Sequence, residues 1–170
     1  MTGLVLPPSR SQISSAELRH RWGFNDHRRD ILDEFEKFLR LISKLVTIQA
    51  YWVSGTFISD KEHPSDIDVV LVIDQERLDN LGSGARLAVT PTGFKKLASR
   101  QSLRVDAYLL PWKVRPSVSY DVADRPYLEA RGYWDDFWMR DRSVPKGATP
   151  ERLCAMPRKG YVEVIADGFK

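Results

Sequence analysis

Apolar residues three and four positions apart predict one long amphipathic helix in the first third of the chain. Asn25, a residue type favoured at helix N-termini, precedes such a segment over residues 26–44. A shorter helix is predicted over residues 16–21, between Ser15, which can cap it, and Gly23, which ends it. The long helix should bury one face against the rest of the protein. That face comprises Ile31, Leu32, Phe35, Phe38, Leu39, Leu41, Ile42 and Leu45.

β-Branched and aromatic residues cluster in further segments that we predict to be strands. Three of them cover residues 47–53, 67–73 and 103–110. The second is nearly all apolar, which is typical of a central strand covered on both faces. Near the end of the chain, residues 161–165 predict an edge strand.

The remaining patterns complete the predicted fold. Pro7 and Pro8 predict an irregular arm over the first ten residues. Further helices are expected over residues 76–81, 90–99 and 125–137. Helices and strands alternate, which favours an α/β (α+β) fold with a small mixed sheet flanked by helices in a single domain.

Length and composition agree with one domain. The chain has 170 residues, of which 42% are hydrophobic and 29% are charged, and a chain of this kind can bury a core without a disulfide or a metal. We expect residues 1–24 to form an arm and a short helix, and residues 25–112 to form the core of the fold. Residues 113–170 should supply a C-terminal helix and a tail that packs on that core.

The charge pattern leaves the binding partners open. The net charge of +3 and the pI of about 9.0 are compatible with nucleic-acid binding but do not imply it. The basic excess falls in two clusters, which we interpret as solvated surface in preference to nucleic-acid contacts. The clusters are His20, Arg21, His27, Arg28 and Arg29, and Arg140, Arg142, Lys146, Arg152, Arg158 and Lys159.

Nothing in the sequence predicts export or a membrane segment. The apolar stretch at the start is too short for a signal peptide, and two prolines interrupt it. The longest purely apolar run, residues 69–73, is far shorter than a bilayer span. The single cysteine, Cys154, cannot form an internal disulfide, which suits a reducing compartment. We therefore expect a cytoplasmic protein with no membrane partner.

Two carboxylates at the start of the second predicted strand are candidate metal ligands. Asp66 and Asp68 are two positions apart, so in a strand both side chains point to the same side. They repel each other unless a cation lies between them, and Mg²⁺ favours one or two carboxylates together with substrate phosphates. The structural alternative is that the pair only forms a turn, as aspartate at a strand edge often does.

Two further features lie on the neighbouring predicted strands. Ser54, Gly55 and Thr56 follow the first strand, where glycine permits close approach of a phosphate and the hydroxyl and amide groups can bind it. Asp106 lies between apolar residues of the third strand, where a carboxylate is costly unless it is paired or binds a metal. The structural alternatives are an ordinary strand end for Gly55 and Thr56 and an exposed sheet face for Asp106.

Together these residues resemble the motif of the DNA polymerase β-like nucleotidyltransferase superfamily. The pattern is a glycine and a hydroxyl residue after a strand, an Asp-x-Asp pair 11 residues beyond the glycine, and a third aspartate on a later strand. It covers about residues 30–112. The superfamily usually carries Gly-Ser or Gly-Gly, so Gly55-Thr56 is a small departure that keeps the hydroxyl.

A narrower resemblance extends over nearly the whole chain. It is to a family of small bacterial and phage-associated proteins of unknown function within the same superfamily, and it leaves the reaction open. The segments that carry it are LPPSRSQISSAELRHRWGFNDHRR, SGTFISDKEHPSDIDVV and YWDDFWMRDRSVPKGATPERL.

The resemblance to the superfamily implies a metal-dependent nucleotidyltransferase. Such an enzyme transfers a nucleoside monophosphate from a nucleoside triphosphate to a hydroxyl group, here of RNA, such as tRNA, or of a protein. A toxin–antitoxin or phage-defence setting, with a partner protein, is the expected context. Asp66 and Asp68 would bind two Mg²⁺ ions, with Mn²⁺ as the alternative metal. Asp106 would bind the ion nearest the acceptor.

The same resemblance assigns the phosphate-binding residues. Ser54, Gly55 and Thr56 would hold the phosphates of the nucleotide. Lys61, in the loop between the two motifs, is a candidate cation for a phosphate, and a solvated loop lysine is the alternative. Lys146 in the tail is a second candidate, carried by the narrower resemblance.

Two other functions remain open at this point. One is a non-catalytic module of the same fold that binds nucleotide or a partner protein, as an antitoxin would. The other is a nucleic-acid-binding protein that uses the two basic clusters. The complete set of three aspartates favours the enzyme. The aromatic residues that could stack on a base, but that more often belong to a core, are Trp112, Tyr133, Trp134 and Trp138.

Overall fold

Five strands pair into one mixed sheet, around which the helices are arranged. The computed structural model describes residues 6–113, 121–141 and 147–167. Its strands are β1 (Arg10–Ile13), β2 (Ala50–Ser54), β3 (Ile67–Asp74), β4 (Val105–Trp112) and β5 (Tyr161–Ile165). In the sheet they follow the order β1-β5-β2-β3-β4. Strand β2 is antiparallel to β3 and β5, whereas β1 is parallel to β5 and β4 is parallel to β3.

Helices flank this sheet, which confirms the predicted α/β fold class. Within the described segments, no helix is long and apolar enough to cross a lipid bilayer. Three short 3-10 turns lie at 55–58, 122–124 and 152–155. The helices are α1 (Ser15–Trp22), α2 (Asp26–Ile42), α3 (Gln75–Asp79), α4 (Ser83–Ala88), α5 (Pro91–Arg100) and α6 (Arg125–Met139).

Side-chain hydrogen bonds define where the first two helices begin. Asn25 caps α2 as predicted, because its Oδ1 accepts the Arg28 N–H at 2.9 Å. Helix α1 is capped by Ser14 and not by Ser15, since the Ser14 Oγ accepts the Glu17 N–H at 3.0 Å. The helix consequently starts one residue earlier than predicted.

Alternation of side chains along the strands divides the core into two layers. One face of the sheet presents residues such as Val69 and Leu71 to α1, α2 and α5, and this layer holds most of the buried apolar side chains. The other face presents Trp52 and Val70 to α6. Trp138 of α6 is only 4% exposed, so it belongs to this second layer of the core.

Strand β5 is not the edge strand that the sequence predicts, because β1 pairs along its outer side. Arg10 lies opposite Tyr161 in this parallel pair. The approach requires Gly160, since a Cβ there would lie 2.4 Å from the carbonyl oxygen of Pro7. The Gly160 N–H donates to the carbonyl of Leu6 at 2.9 Å. Neither β1 nor α4 was predicted from the sequence.

Helix α2 ends before the predicted apolar stripe does. Its last residue is Ile42, and the chain then turns, with the Leu45 N–H donating to the Ile42 carbonyl at 2.8 Å. Leu45 leaves the line of the stripe and is 41% exposed, so the prediction that it is buried was wrong. Leu41 is only partly buried.

Arg28 on α2 is fully buried, although it belongs to a cluster that we interpreted as solvated surface. Its guanidinium donates to the carbonyl oxygens of Trp22, Phe57 and Lys61 and lies 4.5 Å from the centroid of the Phe57 ring. Burial lowers the pKa of Arg28 to about 10, so the group is charged at neutral pH. These bonds fasten the end of α1 and the segment after β2 to α2.

Replacing Arg28 by methionine should destabilise the fold by about 2–5 kcal/mol, because carbonyl oxygens of three segments lose charged donors. Arg28→Lys should not restore the loss, since an ammonium group lacks the planar fork that reaches several acceptors. Urea denaturation measures the free energy of unfolding of both variants. Arg40→Met is the matched control on an exposed position of the same helix, where the ion pair with Glu36 contributes less than about 1 kcal/mol. Equal stability of Arg28→Met and the wild type would contradict this prediction.

Candidate functional site

Three polar side chains meet where β2 ends and where β3 and β4 begin. Asp68 on β3 lies opposite Ser54, the last residue of β2, and is paired in register with Asp106 on β4. Paired residues of neighbouring strands share one face of the sheet, and here it is the face that α6 covers. Asp66 immediately precedes β3, one residue before its start at Ile67. The strand register therefore gathers the predicted carboxylates at one corner of the sheet.

Gly55 directly follows this meeting point and has to be glycine. Its φ angle is +73°, in the left-handed region. A Cβ at this position would lie 1.8 Å from Oδ2 of Asp68 and 2.8 Å from its Cγ. The Asp68 carboxylate thus occupies the space that a side chain at position 55 would need. The sequence predicts a glycine that lets a phosphate approach; the structure adds that it already lets a carboxylate approach.

The surroundings of Asp68 disfavour the charged form of its carboxylate. Burial and, after it, the charges of Asp66 and Asp106 raise the pKa of Asp68 to about 6, and the charge of Lys159 partly offsets this rise. Asp106 is exposed and accepts the Tyr108 hydroxyl at 2.9 Å. The site therefore concentrates negative charge and would be relieved by a bound cation.

The donor set has the chemistry that Mg²⁺ requires, since carboxylate oxygens are its preferred protein ligands. Across 6–113, 121–141 and 147–167, however, no three Asp, Glu, His or Cys side chains are arranged so that they could hold a metal ion by themselves. Asp66, Asp68 and Asp106 are thus neighbours without forming a closed cage. Such a set fits an ion that takes its remaining ligands from a substrate.

A cavity of about 510 Å³ opens in front of Asp68. Its walls come from the end of β2, from the end of α6 and from the segment before β5. Its lining includes both cationic groups and aromatic rings. The residues that line it are Ser54, Gly55, Asp68, Phe137, Trp138, Arg140, Pro150, Glu151, Cys154, Ala155 and Lys159.

Several of these lining residues were not predicted as part of a site, among them Phe137, Arg140 and Lys159. Arg140 and Lys159 stood in a basic cluster interpreted as surface, and Phe137 only ended a predicted helix. Arg140 forms an ion pair with Asp136 one turn earlier on α6. The signal for Lys159 was its position two residues before a strand, but the sequence does not reveal that this strand pairs with β2.

The remaining predicted residues lie at different distances from the cavity. Thr56 is exposed in the turn after Gly55, and its carbonyl accepts the Ser59 hydroxyl at 2.6 Å. Lys61 is exposed in the following loop, where its carbonyl accepts Nη1 of Arg28 at 2.5 Å. Its side chain does not line the cavity in the described part of the chain. Lys146 lies outside the described residues.

The aromatic residues of α6 divide between core and surface. Trp138 is buried, whereas Phe137 is 49% exposed and Tyr133 is 56% exposed. The rings of Phe137 and Tyr133 are stacked, with centroids 5.6 Å apart and planes 6° from parallel. An exposed aromatic surface therefore borders the cavity.

Comparison with known proteins gives one match. The model of a protein family described as a family of unknown function, DUF6932, matches residues 2–165. No curated protein and no solved structure matches the chain.

Asp68→Asn should stabilise the metal-free protein at neutral pH. Because the pKa of Asp68 is raised to about 6 in the folded protein, the folded state binds more protons than the unfolded state between about pH 4 and 6, and stability falls as the pH rises through this window. The loss amounts to at most about 3 kcal/mol. Urea unfolding at pH 4 to 7 should show this fall in the free energy of unfolding in the wild type and not in Asp68→Asn. Asp60→Asn, in the exposed loop, is the control, and parallel curves for wild type and Asp68→Asn would refute the assignment.

Proposed function

The chain belongs to the DUF6932 family, and we propose that it is a metal-dependent nucleotidyltransferase. It transfers a nucleoside monophosphate from a nucleoside triphosphate to a hydroxyl group of RNA, such as tRNA, or of a protein. The observation that carries this proposal is the position of Asp68, between Ser54 and Asp106 on three adjacent strands and at the wall of a cavity with cationic and aromatic sides.

The concentrated negative charge supports the proposed metal site. Asp66 and Asp68 would hold the divalent ions, Mg²⁺ or Mn²⁺, and Asp106 the ion nearer the acceptor. Bound there, the ions would favour ionisation of the acceptor hydroxyl and offset the charge of the leaving pyrophosphate. The acceptor oxygen forms a bond to the α-phosphorus of the triphosphate. The bond between this phosphorus and the oxygen that links it to the β-phosphorus breaks, and pyrophosphate leaves. Asp106, which is exposed, is the proposed acceptor of the hydroxyl proton.

Cationic groups in the lining of the cavity support triphosphate binding. Lys159 and Arg140 line the same cavity as Asp68, and the positive charge of Lys159 already acts to lower the pKa of Asp68. In the proposal these two groups neutralise phosphate oxygens, while the backbone of Gly55 and the hydroxyls of Ser54 and Thr56 supply hydrogen bonds. Lys61 and Lys146 remain proposed phosphate contacts.

An aromatic ring in the lining of the cavity supports binding of the nucleotide base there. Phe137 lines the cavity and is half exposed, so one face of its ring is available for stacking, as bases stack on aromatic side chains in many nucleotide sites. The cavity of about 510 Å³ lies in the range of ligand-sized pockets. We place the protein in the cytoplasm, where nucleoside triphosphates and RNA are present, and in a toxin–antitoxin or phage-defence setting.

The second candidate is a non-catalytic nucleotide-binding or partner-binding module of the same fold. It is favoured by the absence, among the described residues, of three side chains arranged to hold a metal. The hydrogen bond that the Tyr108 hydroxyl donates to the Asp106 carboxylate points the same way. This candidate predicts triphosphate binding without transfer.

The double variant Asp66→Ala/Asp68→Ala should lose metal-dependent triphosphate binding and keep its fold. The two carboxylates bind the metal in this proposal, and without a metal their proximity destabilises the folded protein. Calorimetry with each of the four triphosphates and Mg²⁺ measures binding, and circular dichroism measures folding. Asp60→Ala/Glu62→Ala removes the same charge from the exposed loop and should bind as the wild type does. An unfolded Asp66→Ala/Asp68→Ala variant would show that the carboxylates are structural.

Transfer is tested by incubating the wild type with each labelled triphosphate and cell extract, followed by separation of RNA from protein. Label in one fraction, with release of pyrophosphate and none from the double variant, is the expected result. Binding without label in either fraction would favour the non-catalytic module. A wild type that binds no triphosphate in the presence of metal would overturn both candidates.

Phe137→Ala should weaken nucleotide binding about tenfold, within the roughly 1–3 kcal/mol that a base–aromatic contact contributes. Binding of inorganic tripolyphosphate, which has no base, should not change. Leu128→Ala is the control, since Leu128 is similarly exposed on α6 and does not line the cavity. Equal losses for nucleotide and tripolyphosphate would mean that Phe137 shapes the cavity and does not stack on a base.

A further inference from the structure

A second concave surface lies on the opposite side of the sheet from the candidate site. It is a groove of about 410 Å³ between the end of α2 and the pair α4 and α5. Of these helices, α2 and α5 cover the face that presents Val69 and Leu71, whereas Asp68 belongs to the face covered by α6. The residues lining the groove are Leu41, Ile42, Lys44, Leu45, Leu87, Ala88, Gly93, Lys96, Leu97 and Arg100.

The floor of the groove is apolar and open to solvent. Leu87 is 74% exposed and Leu45 is 41% exposed, and the lining residues Leu41 and Leu97 are partly buried. Single exposed leucines are ordinary on protein surfaces, but leucines grouped in a concave surface mark contact sites. Leu45 lies beyond the end of α2, and the described part of the chain leaves it exposed.

The rim of the groove is cationic. Lys44, Lys96 and Arg100 are exposed, and within the described segments none of the three forms an ion pair or a side-chain hydrogen bond. Among the residues that the structure describes, no aspartate or glutamate lines the groove. An apolar floor with an uncompensated positive rim is complementary to an apolar stripe bordered by carboxylates.

We propose that this groove binds an amphipathic helix of a partner protein, with leucine-like residues on one face and Asp or Glu on its borders. A helix lying in a hydrophobic groove presents anchors at positions i, i+3, i+4 and i+7, which suits an apolar groove between helices. A second copy of the chain is disfavoured as the occupant, because a two-fold contact would set the three cations against their own copies. The proposal does not depend on the proposed nucleotidyltransferase activity.

Two labelled helical peptides with the same leucine stripe test this proposal, one bordered by glutamate and the other by lysine. Fluorescence anisotropy with the full chain should show binding of the glutamate peptide and at least tenfold weaker binding of the lysine peptide. Leu87→Ser should weaken binding of the glutamate peptide about tenfold. Lys44→Glu/Lys96→Glu/Arg100→Glu should reverse the preference. Lys95→Glu, an exposed change on α5 outside the groove, is the control and should bind as the wild type does.

The outcomes separate the possible occupants. A reversed preference in the charge variant, with its circular dichroism unchanged, supports an acidic helix. If the triple variant does not fold, Arg100→Glu alone should still reduce the ratio of the two affinities. The proposal is overturned if Leu87→Ser binds the glutamate peptide as tightly as the wild type does, or if neither peptide binds. A wild type that self-associates in light scattering, and that Leu87→Ser makes monomeric, would assign the groove to a second copy.

Discussion

The arrangement around the candidate site depends on the burial of one charged group, the guanidinium of Arg28. A cation removed from water needs hydrogen-bond acceptors, and here they are main-chain oxygens at the end of α1, in the turn after β2 and in the loop before β3. That turn starts with Gly55, which lies against the carboxylate of Asp68. Helix α2, although it packs on the opposite face of the sheet, therefore helps to set the geometry of the site.

Strand register creates an electrostatic cost at the same corner. Pairing of β3 with β2 and β4 sets Asp68 beside Ser54 and Asp106 whatever their charge. The apolar layers on both faces of the sheet hold the strands in this register, because a shift by one residue would turn every core side chain to the wrong face. The core thus stabilises a set of carboxylates that would otherwise move apart.

The parts of the fold that follow from local patterns were predictable, and those that follow from pairing were not. Alternation and capping predicted α2 and β3, and the spacing of Asp66 and Asp68 predicted carboxylates on one side of a strand. Nothing local predicted that β5 would lie inside the sheet, and so nothing brought Lys159 to the cavity. The burial of Arg28 was missed because its acceptors are main-chain groups, which every residue carries and which no sequence pattern distinguishes.

The sheet order also has a consequence for synthesis on the ribosome. Strand β1 is the first to emerge, yet its hydrogen-bonding neighbour in the sheet, β5, is the last strand in the chain. Until residues 161–165 have been made, β1 has no neighbour and β2 has an open edge, which are features that invite pairing with other chains. Completion of the sheet therefore waits for residues 161–165, and a nascent chain stalled before β5 would expose both edges to chaperones or to aggregation.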